Sequence, residues 1–285
     1  MKRHIRRIIF FSIILSIMSL FLVACSADLE KEKDNENEIM ENDGVLKVGI
    51  DAAFPPYTYR DQTGELVGFD ISLAREVCKR LNKELILIPI NWDEKHEDLE
   101  KGKVDCIWSC FTITGREAEY TFTDPYVENG QFLVVLKNSN INTAEDLRGK
   151  NVAVQASTTA QDNLLGENSN LTQTFAHLYA LTDNEMAFLY LNNGKVDAVL
   201  ADFEITNYYM EAYPDQFRRL EIPLLKDQVG IGFKWGNTIL RDEIQGALDN
   251  MGKDGTLQEI ATEWDMEGSI FTGEDKGSIH EKDTE

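Results

Sequence analysis

Two distant segments of the chain share one pattern, and this repeat constrains the fold more than any other feature. LEKGKVDCIWS at 99–109 returns in outline as LNNGKVDAVLA at 191–201. Each copy is typical of a helix end, a Gly-Lys-Val-Asp turn, an apolar strand and then a polar residue. Helix and strand patterns surround both copies. The repeat therefore predicts two similar α/β lobes.

Apolar runs and helical stripes alternate through the first lobe. Apolar residues recur at helical spacing from 71 to 81, and Asp70 stands where an N-cap residue is expected. The predicted strands and helices follow in the order β-α-β-α-β at 45–51, 69–82, 84–90, 92–103 and 104–110. This order favours a parallel sheet with helices on its faces.

The rest of the chain continues the alternation. The patterns predict strands at 131–137, 151–157 and 196–202, a weaker strand in LTQTFAHLY, further strands in FRRLEIPLL and QVGIGFKW, and a helix pair broken near Gly255. In open α/β sheets, ligands bind beyond the carboxyl ends of the strands. Thr112 in one lobe and Asp202 in the other stand at such ends.

The segment SCFTITGREAEYTFTDPY, at 109–126, follows an apolar strand with polar side chains at every second position. Side chains alternate between the two faces of a strand, so we expect Thr112, Thr114 and Arg116 to point the same way. Two hydroxyl groups and a guanidinium make a poor core. They suit an anion that accepts several hydrogen bonds.

The first 24 residues form a separate segment. MKRHIRR is basic, a long apolar run follows, and LVAC ends the segment at Cys25. This is typical of a secretory signal with a lipobox-like cleavage site, and it resembles bacterial lipoprotein signals. The resemblance implies that Cys25 becomes the lipidated N-terminus, which two or more acyl chains would anchor stably. An uncleaved anchor helix is the alternative. Both place the body of the protein outside the cytoplasm.

Residues 25–43 and 269–285 are expected to flank the folded body, the first as the lipidated cysteine with a disordered tether and the second as a disordered tail. Both are rich in charged and polar residues with almost no apolar periodicity. The whole chain carries a formal net charge of −22. This charge argues against nucleic-acid binding, which requires a basic surface.

The remaining cysteines and the four histidines do not form a recognisable site. Cys106 and Cys110 are predicted on one strand at a separation of about 13 Å, too far for a disulfide. We expect both, with Cys78, to be buried thiols. The histidines are scattered at His4, His96, His177 and His280. The sequence therefore predicts no metal, no cofactor and no Cys/His nucleophile.

With its segments in this order, the chain resembles the family 3 extracellular solute-binding proteins, the amino-acid-binding components of ABC importers. The resemblance covers about Gly44 to Met266. It rests on the motifs VGIDAAFPPYTY, GELVGFDISLAREVCKRL, GKVDCIWSCFTITGREAEYTFTDPY, LRGKNVAVQASTTAQ, GKVDAVLAD and DGTLQEIATEW. It implies an α/β fold of the type II periplasmic-binding-protein kind, with two lobes joined by two crossover strands. The lobes expected are 44–135 with 229–268, and 136–228.

The resemblance also implies which residues hold the ligand. Arg116 matches the arginine that binds the α-carboxylate, although TITGR is one residue shorter than in many members, and Thr112 matches the hydroxyl residue near it. The Cys110 carbonyl and the Asp202 carboxylate match the acceptors of the α-ammonium. A pair of helix-start donors to the α-carboxylate matches Thr158 and Thr159.

Six further positions match residues that surround the ligand side chain in relatives: Asp51, Phe54, Trp92, Trp108, Ser109 and Gln155. Aromatic walls with one carboxylate suit a cationic or polar side chain through cation–π contact. We therefore expect a polar or basic amino acid, such as arginine, lysine, glutamine or cystine. The expected partners are an ABC permease and the membrane, and the expected state is a monomer.

Structural roles remain open for several of these residues. Arg116 could form a surface ion pair with Glu117 or Glu119, and Asp202 or Thr158 could simply cap a helix. Other classes of function also remain open: a dehydratase-like enzyme on the same fold, or a ligand-sensing or adhesive surface lipoprotein. The acidic, Asn-rich tether favours a Gram-positive surface over a periplasm.

Overall fold

The structure, a computed structural model, describes residues 44–271. The signal segment, Cys25 and the tether lie outside the described residues, as does the tail beyond Phe271. The strands are β1 (Val45–Ile50), β2 (Ala53–Phe54), β3 (Thr58–Arg60), β4 (Leu66–Val67), β5 (Glu84–Pro89), β6 (Cys106–Thr112), β7 (Tyr120–Phe122), β8 (Val127–Leu136), β9 (Asn151–Gln155), β10 (His177–Leu181), β11 (Ala198–Asp202), β12 (Phe217–Arg219) and β13 (Leu225–Lys234).

Helices cover the sheet formed by most of these strands. They are α1 (Phe69–Leu81), α2 (Lys95–Glu100), α3 (Thr159–Leu165), α4 (Ser169–Thr172), α5 (Asn184–Asn192), α6 (Phe203–Ala212), α7 (Thr238–Asp254) and α8 (Thr256–Glu263), with 3-10 turns at Trp92–Glu94 and Ala144–Leu147. Gly255 separates α7 from α8 in a left-handed conformation with φ 87°, which confirms the predicted break. No helix in the described region is long and apolar enough to cross a membrane.

Ten strands join one sheet in the order β10-β9-β11-β8-β13-β6-β1-β5, with β12 beside β8 and β7 beside β13. β1 runs parallel to β6, and β9 runs parallel to both β10 and β11. We call β1, β5, β6 and β7 with their helices the first lobe, and β9–β12 with theirs the second lobe. α7 and α8 return to pack against α1 in the first lobe.

The antiparallel strands β8 and β13 connect the two lobes. They pair with each other from Val127↔Val229 to Gln131↔Leu225. β8 also pairs with β11 from Gln131 onward, and β13 pairs with β6 from Val229 onward. The change of partner therefore falls near Gln131 in β8 and near Val229 in β13.

The start of α1 differs from the prediction that Asp70 caps it. The N-cap residue is Gly68, at φ 141°. A Cβ there would lie 2.1 Å from the Tyr57 carbonyl oxygen, so only glycine fits. Asp70 is instead buried in the first turn, where its carboxylate accepts hydrogen bonds from the Cys110 N–H and the Tyr126 hydroxyl. Its carboxylate therefore binds groups outside its own helix, on β6 and just before β8.

The segment after β6 also differs from the prediction of one extended run. β6 ends at Thr112, and the chain turns at Gly115, with φ 83°. The Arg116 N–H then bonds to the Ile113 carbonyl at 2.9 Å. Thr112 is buried while Thr114 is exposed. Thr112 and Arg116 meet because the chain folds back, and Thr114 does not join them.

Two further elements are shorter than predicted or of another type. The helix predicted at 92–103 is a 3-10 turn followed by α2, which ends at Glu100. The weak strand predicted in LTQTFAHLY is α4 followed by β10. Residues at the start of the predicted tail are held in place, because the Phe271 N–H bonds to the Tyr126 carbonyl and the Glu128 N–H bonds to the Ser269 carbonyl.

Candidate functional site

A narrow cleft lies where β6 and β11 end. Its walls come from both lobes and from β8. They consist of Phe54, Trp92, Cys110, Thr112, Arg116, Gln131, Thr158, Thr159 and Asp202. All of these except Gln131 are residues that the sequence predicts for the ligand site. The topology therefore brings eight predicted residues to one place.

Arg116 supplies a buried positive charge to this cleft. Only 11% of its side chain is exposed, and its guanidinium lies over the Phe111 ring, 5.1 Å from the centroid. Nη1 donates to the Thr112 carbonyl at 3.4 Å, and Nη2 lies 3.6 Å from the Asp162 carboxylate in α3. Burial lowers the pKa of Arg116, and nearby acids, Asp162 first, oppose this. The guanidinium stays charged and suits a planar carboxylate.

Asp202 supplies the opposite charge at the end of β11. It is buried, and its Oδ1 accepts hydrogen bonds from Asn129 and from Gln131, the latter at 2.8 Å. Burial raises the pKa of Asp202, while these two amides and the charge of Arg116 act to lower it. Asp202 is the N-cap residue of α6, but its side chain makes no capping hydrogen bond. The helix-cap alternative therefore does not account for it.

A second carboxylate, Asp227 of β13, lies behind the cleft wall. Its Oδ2 accepts from Gln131 at 3.1 Å and from the Thr112 hydroxyl at 3.5 Å. Burial raises its pKa to about 7, with the charge of Asp202 as the next cause. Gln131 thus donates to both carboxylates. No pattern in the sequence marked Asp227 or Gln131, because strand pairing alone brings them here.

Cys110 lines the cleft with an unusual backbone. Its φ is 46°, in the left-handed region, where a non-glycine residue is strained. The Asp70 carboxylate holds the Cys110 N–H at 2.8 Å, opposite an irregularity in the pairing of β6 with β13. Burial raises the pKa of the Cys110 thiol well above its ordinary value, so the thiol stays protonated. Like Cys78 and Cys106, it is a buried free thiol, as predicted.

Thr158 and Thr159 stand where β9 passes into α3. Thr158 is the N-cap residue, and its hydroxyl accepts from the Gln161 N–H at 3.4 Å. The Thr159 hydroxyl is buried and has no hydrogen-bond partner within the described residues. An unpaired hydroxyl carries a free-energy cost unless a ligand or water satisfies it. Thr158 therefore has a structural role, and Thr159 has a free hydroxyl at the cleft.

Trp92 and Phe54 form the apolar walls, and Lys95 lies behind Trp92. The Lys95 ammonium is 5.1 Å from the Trp92 ring centroid and donates to the Trp92 and Ser157 carbonyls at 3.1 and 3.0 Å. Burial, followed by the charge of Arg116, lowers the pKa of Lys95 to about 8. Ser157 belongs to the second lobe, so Lys95 bridges the lobes. The sequence did not mark it.

Asp51 and Gln155 form another contact between the lobes. The Gln155 amide donates to Asp51 Oδ2 at 2.6 Å, while its oxygen accepts from Asn184 at 2.9 Å. The Ser109 hydroxyl accepts from the Asp51 N–H at 3.1 Å. Burial raises the pKa of Asp51. The structure brings these three predicted residues together, in addition to the eight predicted residues that line the cleft.

Trp108 is the predicted residue that lies elsewhere. It is 1% exposed and belongs to the main hydrophobic core, with its ring centroid 6.5 Å from that of Tyr126. It does not line the cleft. Trp108 and Cys110 both belong to the main core cluster, but of the two only Cys110 also lines the cleft.

Comparison with known proteins agrees with this geometry. Residues 46–267 match the model of the bacterial extracellular solute-binding proteins, family 3. The chain belongs to this family. The resemblance predicted from the motifs is confirmed, and so is the type II periplasmic-binding-protein fold.

One relative and two solved structures illustrate how similar the chain is to known members of the family. The L-cystine-binding protein TcyJ of Escherichia coli (strain K12) is 28% identical over 255 residues, which cover 88% of this chain and 94% of TcyJ. The histidine-bound substrate-binding protein of an ABC uptake transporter from Streptococcus pneumoniae has a TM-score of 0.76 at 30% identity, with 81% and 96% covered. A mutant of ArgBP from T. maritima has a TM-score of 0.73 at 33% identity, with 80% and 97% covered.

One solved structure bears on the enzyme alternative. An ancestral amino-acid-binding protein, described as a precursor of cyclohexadienyl dehydratase, has a TM-score of 0.73 at 30% identity, with 80% of this chain and 98% of that chain covered. Three curated relatives are named for the amino acids that they bind, cystine, arginine and histidine, and the arginine-binding protein is named as part of an ABC transporter. Within residues 44–271, no His, Cys, Asp or Glu cluster is arranged to hold a metal.

Proposed function

We propose that this family 3 member binds a polar or basic L-amino acid in the cleft and delivers it to the permease of an ABC importer. One observation carries the proposal: a buried guanidinium, Arg116, and a buried carboxylate, Asp202, line the same cleft. A free amino acid is a zwitterion, and it needs a carboxylate-binding group and an ammonium-binding group at close range. Thr112, Thr159 and the Cys110 carbonyl are proposed to complete these contacts.

The side-chain class is inferred from the aromatic walls and from a polar pair outside the lining. Phe54 and Trp92 offer aromatic faces, and the hydrogen-bonded Asp51 and Gln155 could supply a carboxylate and an amide to a long side chain. Such a set favours a cationic or polar side chain over an aliphatic one. Arginine, lysine, glutamine and cystine remain the proposed ligands. Cystine, arginine and histidine, the amino acids for which relatives are named or with which they were solved, are of the same class.

The proposal includes an anchor at Cys25 and a working site outside the cytoplasm. The family's extracellular character supports the location, and the lipobox-like LVAC supports the lipid. We propose a monomer on a Gram-positive surface. Metabolic labelling with a radioactive fatty acid tests the anchor. Label should enter the wild-type protein and not the Cys25→Ala variant, and equal labelling of both would contradict it.

Uptake of radiolabelled amino acids tests the transport function. Cells that lack the gene should take up one or a few polar or basic amino acids more slowly, and the wild-type gene should restore the rate. A gene that encodes Arg116→Ala should not restore the uptake rate, although the variant protein is present in the cells. Unchanged uptake of every amino acid in the deleted strain would contradict the proposal.

A dehydratase-like activity is the second candidate, and the elevated pKa values of Asp202 and Asp227 are the observation that favours it. An enzyme of this type needs an acid or base that titrates near neutral pH. Incubation with prephenate and chromatographic detection of product tests it. Turnover that depends on Asp202 would make the chain an enzyme, and binding without turnover would leave the transport proposal standing.

A further inference from the structure

Two buried carboxylates from different strands meet on one amide group. The Gln131 Nε2 lies 2.8 Å from Asp202 Oδ1 and 3.1 Å from Asp227 Oδ2. Asp202 is 7% exposed and Asp227 is 4% exposed. Two ionised carboxylates this close repel each other, and burial strengthens the repulsion because water does not screen it. The side chains that donate to the pair, the amides of Gln131 and Asn129 and the Thr112 hydroxyl, are all neutral. Neutral donors compensate two buried negative charges only weakly.

The same group contains two oxygens that lack hydrogen-bond partners. Asp227 Oδ1 and Gln131 Oε1 are both buried, and neither has a partner within the described residues. Buried acceptors without donors are costly. A proton on the Asp202–Asp227 pair would reduce the repulsion and add a donor where two acceptors have none.

The charged and titratable groups around Asp227 come from three directions. Asp202 faces it from β11, and the Cys110 thiol, which stays protonated, faces it from β6. Arg116 faces it from the turn after β6 and interacts with it at long range. The Arg116 guanidinium also lies near Asp162 and is positioned for the ligand carboxylate. It therefore cannot fully compensate both Asp202 and Asp227.

We propose that Asp202 and Asp227 share one proton in the ligand-free protein, and that the α-ammonium of a bound amino acid displaces this proton to solvent. The inference rests on the proposed function. The step is balanced: the protonated pair and the ammonium become a doubly ionised pair with the ammonium bound at Asp202, and one proton leaves. Asp227 does not line the cleft. It acts through Gln131 and Thr112, which it holds, and through its charge.

The direction of the pH effect follows from this linkage. The ammonium cancels the repulsion that Asp227 feels from Asp202, so ligand binding lowers the pKa of Asp227 from its ligand-free value of about 7. The ligand therefore binds the deprotonated pair more tightly. The affinity is therefore highest above pH 7 and decreases as the pH falls through that value. For one proton, the dissociation constant rises by at most about tenfold per pH unit.

Calorimetry tests the inference on the purified protein after ligand removal by unfolding and refolding. L-Arginine and L-glutamine serve as probes, because neither side chain titrates between pH 5.5 and 8. Titrations at pH 7 in phosphate and in Tris, which differ in protonation enthalpy, give the number of protons released. We expect release of a substantial fraction of one proton, and a dissociation constant that rises about tenfold from pH 7.5 to pH 5.5.

Two variants locate the proton. Asp227→Asn keeps the shape and the acceptor for Gln131, and it should bind with little pH dependence and release almost no proton. Asp98→Asn is the matched control, because Asp98 is a buried carboxylate that pairs with Lys103 and does not line the cleft. It should retain the wild-type pH dependence.

The outcomes separate the two claims. Ligand binding with no proton release and a constant dissociation constant would overturn the shared proton while leaving the proposed function intact. A full pH dependence in Asp227→Asn would also overturn it and would assign the proton to another buried acid, such as Asp70. No heat with cystine or with any of the twenty amino acids at any pH would overturn both claims. If Asp227→Asn does not fold, the wild-type proton count alone decides.

Discussion

At the residue scale, the cleft depends on charges that the protein itself compensates poorly. Arg116 is almost buried, yet its ion pair with Asp162 is 3.6 Å long, and Asp162 is largely exposed. A buried cation that lacks a close partner carries a desolvation cost. A ligand carboxylate that accepts two parallel hydrogen bonds would offset this cost. The same residue therefore costs stability in the free protein and contributes affinity in the complex.

Replacement of Arg116 by lysine tests whether the planar fork matters. Arg116→Lys keeps the charge but loses the paired donors and the stacking on Phe111, so binding should weaken by about 1.5–3 kcal/mol. Arg116→Ala should weaken it further while the protein still folds. Dissociation constants from calorimetry measure both effects, and circular dichroism checks the fold. Wild-type affinity in either variant would place the carboxylate site elsewhere.

Replacement of Asp202 by asparagine tests the ammonium site. Asp202→Asn removes the negative charge but keeps a similar shape, so binding should weaken by about 2–5 kcal/mol, as is typical when one partner of a buried charge pair is lost. Asp183→Asn is a useful control, because Asp183 caps α5 and lies outside the cleft lining. Equal affinities of wild type and Asp202→Asn would move the ammonium to another acceptor.

The sequence marked those cleft residues that stand at the ends of strands. Thr112 and Asp202 are the last residues of β6 and β11, and the motif around Arg116 marked a third cleft residue. Gln131 and Asp227 were not predicted, because their positions at the cleft depend on which strands pair with each other. The residues around them in the sequence do not indicate that pairing. Trp108 misled the prediction, because an aromatic residue beside the site is also a good core residue.

At the element scale, β6 depends on close contact with β13. Gly232 in β13 faces the Phe111 ring, and a Cβ there would lie 2.5 Å from two ring atoms. Phe111 in turn supports the Arg116 guanidinium. The glycine therefore lets the crossover strand approach the strand that ends in the cleft. Sequence patterns predicted both strands. The requirement for glycine at position 232 could not be predicted, because it depends on how β13 is aligned with β6.

A glycine-to-alanine exchange in β13 should therefore disturb both folding and binding. Gly232→Ala should lower the free energy of unfolding by about 1–3 kcal/mol, because Phe111 must move to accept the methyl group. Urea unfolding measures this change. Gly246→Ala in α7 is the control: nothing lies within 4 Å of a Cβ there, so it should stabilise the helix by about 0.5–1 kcal/mol. Equal behaviour of the two variants would contradict the close approach.

At the scale of the whole molecule, several contacts join the two lobes, and a charged first-lobe side chain takes part in three of them. These three are Asp51 with Gln155, Lys95 with the Ser157 carbonyl, and Arg116 with Asp162. Each joins a first-lobe residue to a second-lobe residue. A ligand that binds Arg116 and Thr112 from one lobe and Thr159 and Asp202 from the other would favour the same closed arrangement. The fold class was predictable from the sequence, but these contacts were not.

Small-angle scattering should detect this closure. The ligand-free protein should have a larger radius of gyration than the protein saturated with its amino acid, because β8 and β13 form a two-strand hinge between the lobes. Leucine, which the cleft is expected to exclude, is the control and should leave the radius unchanged. An identical radius with and without a bound ligand would contradict ligand-driven closure.

The most direct test of the central claim is a thermal-shift screen of the purified, ligand-stripped protein against the twenty amino acids with cystine and ornithine. A ligand present at 100 times its dissociation constant adds about 2.7 kcal/mol of stability. We predict a clear rise in melting temperature with one or a few polar or basic amino acids and no rise with leucine. Equal shifts with arginine and leucine, or no shift with any compound, would contradict the claim that the Arg116–Asp202 cleft selects a polar or basic amino acid.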